Sequence, residues 1–498
     1  MNVNPITRLD YPDPDMIRVE DTYYMVSTTM HFMPGCEILQ SFDLVHWEHA
    51  TYVYETLDHT DAQQLKSGQN IYGQGMWAAS LRYHEGRFYI CFVANDTRKT
   101  YLYTSEKIDG PWKKQLIEGF YHDGSLLFDE DGRNYIVYGN DEIWITELNE
   151  DLTAPKKDGL HRLLVSDHKN PELGYEGSHI QKINGYYYIF LIHSLRDRWM
   201  RTEACFYSDS LEGEFTGGDV LCDDRGYCGQ GVAQGGIVDT PDGKWYAMLF
   251  QDSGAVGRIP ILLPVTWKDH FPVFGQNGHV PEEIEVHSTR PGYIYQPLVG
   301  SDDFCNGLLP RWQFNHDPDP RYYHLDALQG TYTITTREVC TELTQAVNTL
   351  TQRMSYPSCA AEVTVDASAL KEGDVAGLCA LQSCYAAVGI TKHHGKYEVL
   401  MLDKKEDGIL DMTEGTVVES HQMDFRLEAD FCNMKDEARC YYRVNKGDWL
   451  PIGTVHKLYF KLDHFTGCRF GLFCYAAEET GGSACFRDFK YYDVDEIS

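Results

Sequence analysis

The sequence has no stretch of about 18 apolar residues, which rules out a membrane-spanning helix. It also lacks any C-x-x-C pair, so its 15 scattered cysteines read as reduced, mostly buried thiols rather than a zinc site or a disulfide framework. Positive charge is scarce: 43 Lys and Arg stand against 75 Asp and Glu, a formal net charge of −32. Such a surface repels phosphate backbones and anionic lipid, so neither nucleic acid nor a membrane is expected as partner. No phosphate-cradling Gly loop, G-x-S-x-G elbow or zincin-type His pair occurs. The opening MNVNPITRLDYPDP has no basic segment leading into an apolar one, and the expected location is the cytoplasm.

What the chain does have is tyrosine and repetition. Tyr (34), Phe (22) and Trp (9) are abundant, which suits β-rich folds and, less specifically, sugar-facing clefts. One pattern recurs five times in the first 250 residues: a small or polar opening, an apolar strand, a tight turn, then an aromatic-rich strand. The copies are YPDPDMIRVEDTYYMVS (11–27), MWAASLRYHEGRFYICF (76–92), HDGSLLFDEDGRNYIVYG (122–139), YEGSHIQKINGYYYIFLI (175–192) and AQGGIVDTPDGKWYAMLF (233–250). A hairpin with further strands, repeated at this spacing, predicts an all-β five-bladed β-propeller over 1–297. After a Pro- and Gly-containing linker the repeat stops. Short alternating runs such as EVTVDAS, RLEADF and RFGLFCY then predict a jelly-roll-like β-sandwich over 298–498.

In a propeller the first strand of each blade lines one central channel, so the five openings should share a mouth. Aligned on the turns they are Asp13, Ala78, Asp123, Glu176 and Gln234. Three carboxylates brought together repel one another, and a metal, a proton or a reaction must offset that repulsion. Glycoside hydrolysis uses two carboxyls in distinct roles, one as acid and one as base or nucleophile. Each residue also has an ordinary reading: Asp13 beside Pro makes Asx-turns, and Asp123 before Gly-Ser caps turns. Glu176, opening a strand, has no such role. Asp129, Glu130 and Asp131 fall in a hairpin turn and read as solvated, not as a calcium cluster. Candidate substrate-binding residues are Trp77, as a stacking platform or a rim-packing ring, His31 and Phe32 in the loop STTMHFMPG, Gln234, and Arg258. The last lies between apolar runs and calls for a specific partner such as a carboxylate or a sugar hydroxyl. His179 reads as a hydrogen-bonded core histidine.

The set YPDPDMIRV, GMWAASLRYH, HDGSLLFDEDGR, YEGSHIQKINGYYY and AQGGIVDTPDGKWY resembles glycoside hydrolase family 43. The likeness is to its β-xylosidase and α-L-arabinofuranosidase members with a C-terminal sandwich, and W-Q-F-N-H and N-T-L-T-Q-R extend it into the second domain. The resemblance implies an inverting enzyme with Asp13 as general base, Glu176 as general acid and Asp123 as the residue that tunes and orients the acid. For an inverting enzyme the base and acid carboxyls should stand roughly 6.5–9.5 Å apart. Two departures stand out: Asp15 replaces a common Ser, and Ala233 replaces a His that supports a central cation in many members. No cofactor is required on this reading, a structural calcium is in doubt, and no metal ligands are assigned. The function expected is exo-acting release of xylose, with arabinose as a second product, from short oligosaccharides, by a protein that could form homo-oligomers. An arabinan-directed arabinofuranosidase of the same fold and a non-catalytic glycan-binding propeller are the alternatives.

Overall fold

The structure, a computed structural model, describes residues 2–493 and is all-β apart from single 3-10 turns. Five four- or five-stranded antiparallel sheets follow one another along the chain. The first blade holds Asp15–Val19, Thr22–Ser27, Gly35–Ser41 and Glu48–Tyr54; the second runs from Met76–His84 to Lys113–Ile117. The third spans Ser125–Phe128 to His161–Ser166, the fourth Glu176–Ile183 to Thr216–Leu221, and the fifth Val232–Ala233 to Phe271–Phe274. First strands of neighbouring blades touch, as in a propeller whose innermost strands ring a channel. Apolar side chains from adjoining blades pack between them: Ile38, Leu81 and Phe92 in one such layer, Phe190, Leu249 and Leu263 in another. A two-residue pairing of Asn2–Val3 with Glu283–Ile284 joins the start of the propeller to its end.

The expected boundary at 297/298 falls within a linker that stays on the first blade. There the Phe42 N–H donates to the Tyr295 hydroxyl at 2.9 Å. Two sheets of nine and seven strands follow and face each other as a sandwich. Strands of the seven-stranded sheet alternate in burial, as Gln422–Asp430 does (Met423, Phe425 and Leu427 buried), because successive side chains point to opposite faces, whereas Val375–Leu381 and Arg469–Tyr475 in the nine-stranded sheet are buried throughout. The two domains share one sheet. Phe32–Met33, from a loop of the first blade, pairs with Gln313–Asn315 and forms an edge strand of the nine-stranded sheet. Arg353, buried at this junction, bridges back to the Glu37 carboxylate at 2.9 Å and lies over the Tyr11 ring.

Candidate active site

The blade openings leave ordinary strand geometry. Asp13, Asp123 and Gln234 have φ of 53°, 48° and 60°, and Gly177, just after Glu176, has φ of 64°. Left-handed backbone at a non-glycine residue costs on the order of 1–3 kcal/mol and is found where a side chain must be aimed. Asp tolerates it better than most residues. At Gly177 the positive φ suits glycine, and a Cβ would stand 2.6 Å from Gln234 Cδ and push that side chain aside.

These kinks bring the carboxylates to one mouth. Asp13 is buried and held on both oxygens: Arg258 Nη1 donates to Oδ1 at 2.9 Å and Thr28 Oγ1 to Oδ2 at 2.6 Å. On the other side Asp123 Oδ2 accepts the Gly177 N–H at 2.9 Å. Glu176 Oε2 accepts from Asn140 Nδ2 at 2.8 Å. His122 sits between these two, its Nε2 at 3.5 Å from Asp123 Oδ2 and 3.5 Å from Glu176 Oε2. The Glu176 side chain is 22% exposed, the most open of the three acids, against 7–8% for Asp123 and Asp13.

The electrostatics divide the mouth. Burial pushes Asp123 up to about 6, with Glu176 and Asp13 adding to the rise and the His122 ring opposing it. The Asp123 charge, helped by Glu176 and Asp13, raises His122 to about 9 against the cost of burying its ring. An imidazolium therefore stands between two acids. Among the described residues His122, Asp123 and Glu176 alone are grouped closely enough to consider for a metal ion. The cation they need is already the ring, and we assign no ion to them.

The sandwich completes the rim. Phe465, from its loop 461–468, lies 4.4 Å over the Arg258 guanidinium and 5.6 Å from the Trp77 ring. Asp10 clips this loop to the site: its Oδ1 accepts the Arg258 N–H at 2.7 Å and its Oδ2 the Gly467 N–H at 2.8 Å. Arg258 keeps Nε and Nη2 buried without a partner, donors waiting for an acceptor. Gln234 has its N–H on Glu203 Oε2 at 2.7 Å, and burial drives the Glu203 carboxyl well above its usual range. His31 and Phe32 are not at this mouth. Both are fully buried between the domains, His31 against Tyr72, His316 and His464, and Phe32 under the Arg469 guanidinium. Their place beside the blade's first hairpin suggested a rim; instead the loop turns inward and becomes the shared sheet. Sequence reasoning passed over His122, Asn140, Asp10 and Phe465, of which only His122 lies inside a repeated motif.

A propeller that collects three carboxylates and an arginine at one end of its channel has the make-up of a glycoside hydrolase. Residues 3–272 match the model of glycosyl hydrolases family 43, and residues 301–492 match the beta xylosidase C-terminal concanavalin A-like domain. The chain belongs to glycoside hydrolase family 43. It is 26% identical to a beta-xylosidase of Formosa agariphila, covering 99% of this chain and 89% of that one. It is 24% identical to a xylosidase/arabinosidase of Butyrivibrio fibrisolvens over 99% of both. A solved structure, the bifunctional GH43-CE of Bacteroides eggerthii, superposes with a TM-score of 0.93 at 42% identity; all of this chain is covered, and it spans 64% of that longer one. The protein is thus a glycosidase, and the glycan-binding alternative is set aside.

Proposed function

We propose that this glycosidase is an exo-acting, inverting enzyme that releases xylose, and arabinose as a second product, from the ends of short xylo-oligosaccharides. The observation that carries the reading is the asymmetry of the mouth. Asp13, oriented by Arg258 and Thr28, stands apart from the Asp123–His122–Glu176 group. Asp13 would take a proton from a water attacking the anomeric carbon, while Glu176, the most open acid, protonates the departing oxygen. Asp123, through the Gly177 N–H, positions the strand end that bears Glu176. The unpartnered donors of Arg258 suit the hydroxyls of the terminal sugar, with Trp77 beside them. The sandwich loop with Phe465 walls one side of the mouth, which supports attack at chain ends. Below the mouth, where the innermost strands meet, the Arg82 guanidinium pairs with Asp15 at 2.7 Å as a resident cation, and we give a metal no step. Fifteen free cysteines, Cys222, Cys228, Cys305 and Cys432 among them exposed, suit a reducing compartment such as the cytoplasm.

Product analysis on xylobiose and on an arabinosylated xylo-oligosaccharide tests the substrate. Xylose should appear first, and a preference above about tenfold (1.4 kcal/mol) for an aryl α-arabinofuranoside over the aryl β-xyloside would replace this reading with the arabinan-directed one. Proton NMR of the first-formed sugar should show the inverted anomer.

A further inference from the structure

We propose that Trp199, backed by Arg201, is the platform on which the sugar at the leaving side of the scissile bond stacks. The inference rests on the reading of Glu176 as general acid and of xylo-oligosaccharides as substrate. Its basis is where one hairpin ends. Glu176 opens its strand opposite Ile192, and the strand Tyr186–Ser194 runs on past that pair on the side of the mouth. The return strand begins at Arg201, opposite Ser194, two residues or about 7 Å beyond the level of the acid. The connecting tip, residues 195–200, therefore stands beside Glu176, where a protonated leaving group has to depart. Phe465 from the sandwich walls the mouth elsewhere, against Trp77 of the second blade and Arg258 of the fifth.

The tip is braced, yet its largest side chain is left open. The Leu195 N–H donates to the Met200 carbonyl at 3.1 Å, and the Met200 N–H to Ser194 Oγ at 2.8 Å. Arg196 ties the tip to the preceding loop, its Nη1 on Asp167 Oδ1 at 2.8 Å and its Nη2 on the Lys169 carbonyl at 3.0 Å. Trp199 is the most open of the nine tryptophans, at 44% exposed, and the Arg201 guanidinium lies 5.5 Å from its ring centre. A large aromatic ring fixed in water gains nothing from packing, whereas the apolar face of a sugar ring would cover it. Arg201 Nη1 stands 2.9 Å from Asp252 Oδ2, so the pair adds no net charge and favours a neutral sugar over a uronic acid. The platform is continuous with the catalytic wall. The Phe250 ring lies between two guanidiniums, 5.1 Å from Arg201 and 5.4 Å from Arg258, and Arg258 holds Asp13.

The test compares Trp199→Ala and Trp199→Phe with the unaltered protein on xylobiose and on β-xylosyl fluoride, whose leaving group has no ring to stack. For Trp199→Ala, kcat/KM on xylobiose should fall about tenfold, chiefly through KM, and on the fluoride by less than about twofold. Trp199→Phe, which keeps an aromatic face, should stay within about threefold of the unaltered protein on both. The retained fluoride turnover shows that the site is folded. Equal losses on the two substrates, or a Trp199→Phe variant as impaired as Trp199→Ala, would overturn the proposal. If the unaltered protein leaves xylobiose whole, the substrate reading falls and the platform with it; if xylobiose is cleaved and Trp199→Ala cleaves it as well, only the platform falls.

Discussion

Asp13 and Asp15 are two residues apart, both buried, and differ in what surrounds them. Asp15, fully buried at the start of the first innermost strand, has both oxygens held by three partners: Arg82 Nη1 at 2.7 Å, the Leu81 N–H at 2.8 Å and His179 Nδ1 at 3.0 Å. The same guanidinium also reaches Ser125 Oγ and the carbonyls of Leu81, Leu126 and Ile180, so with Asp15 it ties four blades together. Burial alone would raise Asp15, but Arg82, His179 and the Leu81 N–H outweigh it and hold the carboxyl below its usual range. At the mouth the acids keep only one or two hydrogen bonds each, and Arg258 and His122 keep donors free. The contrast teaches that the throat is satisfied for stability and the mouth is left incomplete for a substrate.

The largest effects should separate the two regions by kind. Asp13→Asn, which keeps an acceptor beside the buried Arg258, and Glu176→Ala are each expected to lower kcat on xylobiose by about 10³-fold while the melting temperature holds within about 4 °C. Asp15→Ala should do the reverse. It strands the buried Arg82 and His179 and should cost about 3–5 kcal/mol in urea unfolding. A melting temperature that falls equally in all three variants would erase the distinction.

A finer test uses pH. The folded Asp15 carboxyl is depressed relative to the unfolded chain, so its contribution is complete above the unfolded value near 3.8 and is lost as pH falls through the folded one. The stability gap between the unaltered protein and Asp15→Asn should be constant from neutral pH down to about 5 and shrink below about 4. Asp123 works in the opposite sense. Raised to about 6, it favours the folded state when protonated, and that contribution fades as pH climbs from about 4 to 6. Asp123→Asn should therefore be more stable than the unaltered protein above pH 6, by about 1–3 kcal/mol. Urea unfolding at pH 3, 4, 5 and 7 reads both variants.

How much of this was legible depends on distance along the chain. The five blades and the meeting of Asp13, Asp123 and Glu176 follow from a local motif repeated in register, and a repeat announces its own geometry. Arg258, a charge between apolar runs, called for a specific partner, and the Asp13 carboxylate takes that place. The left-handed backbone at Asp13, Asp123 and Gln234 was not legible, since nothing in their flanks separates a strand start from a kink. His122 was hidden by the alignment itself, because taking Asp123 as the opening assigned its neighbour to the loop before it. His31 and Phe32 misled for a related reason: a loop after a hairpin usually stays on the surface, but this one pairs with Gln313–Asn315, some 280 residues on, and packs inward. Asn140 lies at the far end of a second strand, and Phe465 about 190 residues beyond the last blade, where no periodicity points back to the mouth.

Phe465 offers the mildest test of the contrast, because it belongs to the mouth yet comes from the sandwich. Its ring covers Arg258 and borders Trp77, while the backbone beside it is pinned by Asp10 and by the Cys468 N–H on the Ala255 carbonyl at 2.8 Å. Truncating the ring leaves those backbone ties in place, so Phe465→Ala should retain its stability within about 1 kcal/mol, as substitutions away from packed cores do. What changes is the wall. Water gains access to the Arg258–Asp13 pair, whose attraction weakens as the local dielectric rises. We expect kcat/KM on xylobiose to fall about five- to tenfold, chiefly through KM, and the ratio of xylotriose to xylobiose turnover to rise as the closed side opens. If the substitution instead left kinetics unchanged and unfolded the sandwich, the rim would belong with the throat, as structure alone.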